Sequence, residues 1–324
     1  MTSKPDTVPV VPYDAWLHWY VNNRCFLDCD YCETNRTGLR LKGDIESIRI
    51  EALIRTLDAT GKIFSLSFTG GGEPLMVPNL LEACREVVKK HYISFNSNLA
   101  HANAGPFFAE IDPGRVLMVV ASCHIKALER AKLVDVFAEN HRLCKQRGIA
   151  IRALEVGHPA LVPEAQRYRD QFLAKGVELF FAPFVGEFEG RRYPQSYTDG
   201  ELEILGLDAG ARNCFVEHHA QGVFMCNAGY NAAIVRANGD IFPCDHIHKR
   251  MGNIYEKIEF AERMTRCPVR FCTCPLYKYD PPLFDRAQRE KRIDNLKQTY
   301  LDVPVERAYD RLYTLLHAKR GGGS

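Results

Sequence analysis

From residue 14 to residue 184 the chain repeats one unit, a short apolar run followed by a helix-length segment, and this alternation constrains the fold more than any other feature. The apolar runs cover residues 14–22, 63–68, 92–96, 116–121, 149–156 and 177–184. Helices are expected between them over 44–60, 78–90, 126–147 and 163–175. Asp44 is a suitable N-cap, Ile45, Ile48, Leu53 and Leu57 fall at helical spacing, and Gly61 ends the segment. Strands alternating with helices form a parallel sheet with right-handed crossovers. Six such units give an α/β fold, an incomplete barrel or a strongly curved open sheet. In folds of this kind the chemistry gathers at the carboxyl ends of the strands.

The loop after the first strand reads Cys25-Phe-Leu-Asp-Cys29-Asp-Tyr-Cys32. Three thiolates so close in sequence can wrap one corner of an iron–sulfur cube. Four cysteines per 4Fe–4S cluster are usual. Here no fourth lies nearby, so one iron is left open to a small molecule. A zinc loop or a set of buried thiols uses the same residues. Zinc sites favour paired Cys-x-x-Cys units and four closed ligands, so the spacing favours the cluster.

Composition excludes several classes. The 324 residues are 46% hydrophobic and 25% charged, with a net charge of +2. Those are globular values, without the charge bias that nucleic acid or an anionic membrane selects. No signal peptide and no membrane-length apolar run is present, so a cytoplasmic location is expected. Twelve cysteines in a chain of this size without an export signal suggest metal or cluster ligation rather than disulfides. Gly321-Gly322-Gly323-Ser324 looks like an added linker.

The second strand ends in Gly70-Gly71-Gly72-Glu73-Pro74. Glycines let a backbone approach a ligand closely, and a carboxylate beside them suits an ammonium group. The end of strand two should lie beside the cysteine loop. Together, Cys-x-x-x-Cys-x-x-Cys, Tyr31 before its last cysteine and the Gly-Gly-Glu-Pro turn resemble the radical S-adenosylmethionine (SAM) enzyme superfamily, over residues 14–185. The resemblance implies a partial (β/α)6 barrel of that type. It implies that Cys25, Cys29 and Cys32 hold a 4Fe–4S cluster whose open iron chelates the methionine amine and carboxylate of SAM. Gly71, Gly72 and Glu73 would contact that amine, with Tyr31 close by. A flavodoxin- or ferredoxin-type electron donor is implied too. By position at strand ends, Asn96, Ser122 and His124 are further candidates for SAM contact, with helix capping or turn bonding as the plain alternative. Arg152 and Glu155, three apart on strand five, must point to opposite faces.

The alternation stops after Tyr193. Residues 213–275 are loop-rich and hold six of the twelve cysteines. The Asn238-Gly239-Asp240 turn is expected to make a hairpin that brings Cys226 and Cys244 together. This segment resembles the auxiliary-cluster domain of the same superfamily in its short form, called twitch, rather than the cysteine-richer SPASM form. The Gly239-to-Cys244 spacing carries the resemblance. It implies a second 4Fe–4S cluster on Cys226, Cys244, Cys272 and Cys274, with Cys267 competing for a place; a zinc site could use the same thiols. The expected boundaries are 13–206 for the barrel, 207–282 for the auxiliary-cluster domain, 283–320 for a helical segment and 321–324 for the linker.

Cys84, Cys123, Cys144 and Cys214 have no partner at ligand spacing. Buried thiol is the plain reading, and at Cys123 or Cys214 a hydrogen-atom donor to a substrate radical is the sharper one. Glu189 and Arg191, after strand six, are candidate substrate contacts, and His246 and His248 lie just past Cys244. Only 24 residues precede Cys25, too few for a peptide-leader module. The expected function is therefore reductive cleavage of SAM and hydrogen abstraction from a small polar substrate of natural-product type, such as a sugar, aminocyclitol or nucleoside, for oxidation, rearrangement or C–C bond formation. Peptide epimerisation or cross-linking is the alternative within the superfamily. An iron–sulfur redox or sensor protein is the alternative outside it.

Overall fold

The computed structural model describes residues 13–32, 45–213, 225–263 and 265–266. Asp44, Cys214, Cys267, Cys272, Cys274, the expected helical segment 283–320 and the tail lie outside the described residues.

Six parallel strands form the centre of the fold in simple order: β1 (Ala15–Tyr20), β2 (Phe64–Thr69), β3 (Tyr92–Ser97), β4 (Val116–Ser122), β5 (Ile151–Gly157) and β6 (Leu179–Pro183). Each pairs with the next, with one register shift between β3 and β4 at Ile93–Ser94, and side chains sort into two faces. One face carries Leu17, Leu66, Ile93, Phe95, Val119, Ala121, Ala153 and Phe181 and is buried. The helices pack against it. Trp19, Phe68 and Phe95 stack across three strands at 5.5 and 5.1 Å, each contact worth about 1 kcal/mol beyond burial. The other face is mixed: His18, Ser65, Ser67, Thr69, Ser94, Asn96, Ser122 and Arg152 share it with Trp16, Tyr92, Met118, Val120, Leu154 and Phe180. A wholly apolar second face would need a second helical layer. The polar groups on this one make it the polar floor of the sheet. The expected α/β architecture is the one observed.

The helices differ from expectation in instructive ways. Helix α1 (Ile50–Ala59) starts well after Asp44. The Asn79 side chain accepts from the Ile48 amide and donates to its carbonyl, both at 2.8 Å, holding residues before Arg49 out of the helix. Helix α2 is Leu80–Val87. Helix α3 (Ala104–Glu110) was not anticipated, because Gly105-Pro106 disguises it. Proline is harmless in a first turn, where its missing N–H has no partner to lose. Phe107 and Phe108 of α3 pack edge-on against Phe95.

The single helix expected over 126–147 is two, α4 (Ile125–Ala131) and α5 (Val134–Gln146). Lys132, at φ 58°, breaks it, and the Leu133 amide closes on the Leu128 carbonyl. A 3-10 turn over Pro159–Glu164 precedes α6 (Ala165–Leu173). After β6 come a hairpin, β7 (Gly186–Phe188) with β8 (Arg191–Tyr193), and α7 (Asp199–Leu205). Thr198 and Glu201 form a reciprocal capping box at the start of α7.

The C-terminal strands continue the same sheet. β9 is Met225–Cys226, and β10 (Ala232–Val235) pairs in parallel with β1. β11 (Asp240–Phe242), β12 (Gly252–Asn253) and β13 (Lys257–Ile258) follow antiparallel, completing ten strands in the order β13-β12-β11-β10-β1-β2-β3-β4-β5-β6. The Asn-Gly-Asp turn does make a hairpin, between β10 and β11, with Gly239 at φ 87°. Cys226 pairs in a two-stranded ladder with β14 (Thr265–Arg266), opposite Thr265. Among the described residues, no helix is long and apolar enough to cross a membrane.

Candidate active site

The cysteine loop leaves the carboxyl end of β1 and the glycine turn leaves the end of β2, side by side. Their backbones clasp. The Gly72 amide donates to the Asn22 carbonyl at 3.1 Å, and the Glu73 amide donates to the Arg24 carbonyl at 2.8 Å. The Asn22 side-chain amide donates to the Glu73 carbonyl at 2.7 Å. A Cβ on Gly72 would fall within 3.0 Å of the Arg24 backbone, and one on Gly71 would collide with the Asn23 side chain. The glycines therefore serve first to seat the root of the cysteine loop.

Cys25 and Cys32 are half-buried and Cys29 is buried, and the described cysteines form no disulfides. Burial pushes the Cys29 thiol up to about 12, with Cys25 and Cys32 adding like-charge repulsion. The three thiols are thus neighbours. Among the described residues no three His, Cys, Asp or Glu side chains gather as a single metal ion requires. The donor set of the loop is thiols only, which an iron–sulfur cluster takes.

Glu73, expected at an ammonium group, turns inward. It is 2% exposed. Its Oε1 accepts from the Leu75 amide at 3.1 Å and the Ser97 hydroxyl at 2.7 Å, and its Oε2 accepts from the Asn98 amide at 2.8 Å. Burial raises its pKa to about 7 despite these bonds. The carboxylate ties the end of β3 to the glycine turn.

Tyr31 is likewise anchored. Its hydroxyl donates to Glu155 Oε1 at 2.6 Å and lies 2.8 Å from His124 Nδ1. The phenol has one proton, and Glu155 receives it, so the network assigns the His124 ring proton to Nδ1. Burial lowers His124 to about 4 and raises Glu155 to about 7. Glu155 also accepts from the amides of Ile125 at 2.7 Å and Val156 at 2.6 Å. Arg152 and Glu155 do point to opposite faces: Arg152 lies on the polar floor, 5.7 Å from the Phe180 ring centroid, and Glu155 on the helix side. Outside this anchor is a cleft of about 250 Å³ lined by Cys29, Tyr31, His124, Arg130 and His158.

Asn96 is exposed on the polar floor and donates to Thr69 Oγ1 at 3.3 Å. Ser122 lies on the same floor, in register with Leu154. The floor also holds a group that sequence reasoning passed over. The Tyr20 hydroxyl donates to Asp245 Oδ2 at 3.1 Å, and Arg236 pairs with Asp245 Oδ1 at 2.9 Å. The alternation of Trp16, His18 and Tyr20 could have flagged it, because it puts the imidazole and the phenol of β1 on one face.

Other candidates sit elsewhere. Glu189 occupies the exposed β7–β8 turn at φ 47°, followed by Gly190 at 71°. Arg191 is bound to the Ser196 carbonyl and lies 3.8 Å from Glu201. Cys123 is fully buried on the helix side, beside Glu155, and burial raises its pKa well above the usual thiol range. It lies on the face opposite the polar floor. Cys84 and Cys144 are core thiols. His246 and His248 are exposed. Cys244 is buried against Trp16 and Tyr92.

No family model matches the chain, and no curated protein does. Solved structures do. A tagged form of anSMEcpe with bound AdoMet is 16% identical, covering 93% of this chain and 98% of that one, at a TM-score of 0.50. SuiB of Streptococcus suis, bound to S-adenosylmethionine, is 18% identical over 83% of this chain and 66% of that one, at 0.39. BtrN, in complex with AdoMet and 2-DOIA, is 15% identical over 74% and 78%, at 0.34. With the parallel sheet and the clasped loop and turn at its carboxyl edge, the chain has the fold of the radical S-adenosylmethionine enzymes.

Proposed function

We propose that this chain is a radical SAM enzyme whose Cys25, Cys29 and Cys32 hold a 4Fe–4S cluster, with SAM on its open iron. The observation that carries the reading is the backbone clasp, which seats a three-thiol loop against a glycine turn at the carboxyl edge of the sheet. Such a cluster supplies one electron to the sulfonium of SAM, releasing methionine and a 5′-deoxyadenosyl radical that takes a hydrogen atom from a substrate carbon.

The chain's own residues do the rest. Glu73, Glu155 and the glycines fix the loop. Asn96 and Ser122, at the strand ends of the polar floor, are the candidates for SAM contact. Ser65, Ser67, Ser94 and Arg152 extend that floor and favour a small polar substrate, such as a sugar, aminocyclitol or nucleoside, over an apolar one. If two substrate hydrogens are lost, one leaves as an atom, the other as a proton, and the remaining electron would pass to the second cluster proposed below. Cys226, Cys244, Cys272 and Cys274, with Cys267 competing, are proposed for a second 4Fe–4S cluster. A flavodoxin- or ferredoxin-type donor is proposed as the source of the electron.

The test is anaerobic reconstitution followed by strong reductant and SAM. Wild type should yield methionine and 5′-deoxyadenosine, and a Cys25→Ala, Cys29→Ala, Cys32→Ala variant should yield neither. Equal cleavage by both would end the enzyme reading.

A further inference from the structure

Asn98 follows β3 and is 3% exposed. Its side-chain Oδ1 accepts from the Ala100 amide at 3.0 Å, which fixes the sense of the amide group. The Nδ2 end must therefore face the other way, and it donates to Cys25 Sγ at 3.8 Å. The Asn98 backbone amide donates to Glu73 Oε2 at 2.8 Å, and the Ser97 hydroxyl donates to Glu73 Oε1 at 2.7 Å. The next residue, Leu99, is buried with φ 54°, a left-handed conformation that leucine rarely adopts. It is held there by the Asn140 side chain on its carbonyl at 2.7 Å and by the Ser97 hydroxyl on its amide at 3.0 Å.

We infer that Asn98 sets the reduction potential of the cluster on Cys25, Cys29 and Cys32, and that Glu73 is a positioning residue acting through Asn98. This rests on the cluster reading given above. Reduction makes a cluster more negative. An N–H donor on a ligand sulfur stabilises that added charge and raises the potential. Glu73 fixes the backbone at Asn98 from below, and Ala100 fixes its amide from above. The glutamate of the Gly-Gly-Glu turn would thus bear on the Cys25 sulfur through Asn98 at the end of β3. The donor's strength decides how weak an electron donor can still reduce the enzyme.

The test is an EPR-monitored redox titration of reconstituted wild type, Asn98→Ala, Asn98→Asp and Glu73→Gln, with iron counted in each. Asn98→Asp keeps the acceptor for Ala100 and replaces the N–H by a carboxylate oxygen. Iron per chain should hold. The midpoint should shift downward in Asn98→Ala, further in Asn98→Asp, and least in Glu73→Gln. SAM cleavage should fall with a weak reductant and recover with a strong one. Asn98→Asp with wild-type iron and a wild-type midpoint would overturn the inference. So would iron loss in Asn98→Ala beside an unshifted Asn98→Asp, since Asn98 would then be structural support. A wild type that takes up no cluster would instead overturn the cluster reading itself.

Discussion

Gly72→Ala should strip the cysteine loop of its cluster while leaving the sheet folded. The added methyl would fall within 3.0 Å of the Arg24 backbone nitrogen, carbon and oxygen, and backbone cannot swing aside as a side chain can. Relief requires opening the Gly72–Asn22 and Glu73–Arg24 hydrogen bonds. Overpacking of this kind costs on the order of 3 kcal/mol, which is about 100-fold in the population of the closed clasp. Iron per chain after reconstitution and SAM cleavage should both fall sharply. The far-ultraviolet circular dichroism should change little, because β1 and β2 pair over Ala15–Tyr20 independently of the turn. Gly71→Ala should be milder, since its methyl meets the Asn23 side chain, which can move. Full iron content in Gly72→Ala would show that the clasp is not what seats the loop.

Glu155→Ala should have the next largest effect. Two terms oppose each other. Removing a carboxylate that burial raises to about 7 relieves a desolvation cost. It also strands the Ile125 and Val156 amides and leaves the Tyr31 hydroxyl with His124 alone. Each buried donor left without a partner costs about 1–3 kcal/mol, so the two together outweigh the relief. The variant should lose several degrees in Tm, and its KM for SAM should rise as Tyr31 loosens. Tyr31→Phe should cost less, because Glu155 keeps both backbone donors. A thermal melt and a SAM titration check both variants. Unchanged Tm and KM in Glu155→Ala would remove the anchor from the account.

Much of the centre was legible because its signals are local. Six apolar runs gave six strands, and two motifs at the ends of consecutive strands had to be neighbours. What stayed hidden depends on contacts distant in sequence. Nothing near Ile48 announces that Asn79 will hold it extended. Lys132 breaks a helix without the glycine that usually marks a left-handed cap. Glu73 carries a strong motif signal, yet its carboxylate goes to Ser97 and Asn98, some 25 residues away. The pairing of β10 with β1 spans most of the chain, so a segment that reads as separate continues the sheet. Thr198 and Glu201 are a different case: their capping-box spacing was readable, and the turn-rich residues before it masked it.

The account stands on one claim, that Cys25, Cys29 and Cys32 carry a cluster with an iron free to bind SAM. EPR of the reduced, reconstituted protein tests it most directly. The account predicts that adding SAM changes the spectrum of wild type, and that no such change occurs in the Cys25→Ala, Cys29→Ala, Cys32→Ala variant. A reduced wild-type spectrum indifferent to SAM, or a response that survives loss of the three cysteines, would contradict it.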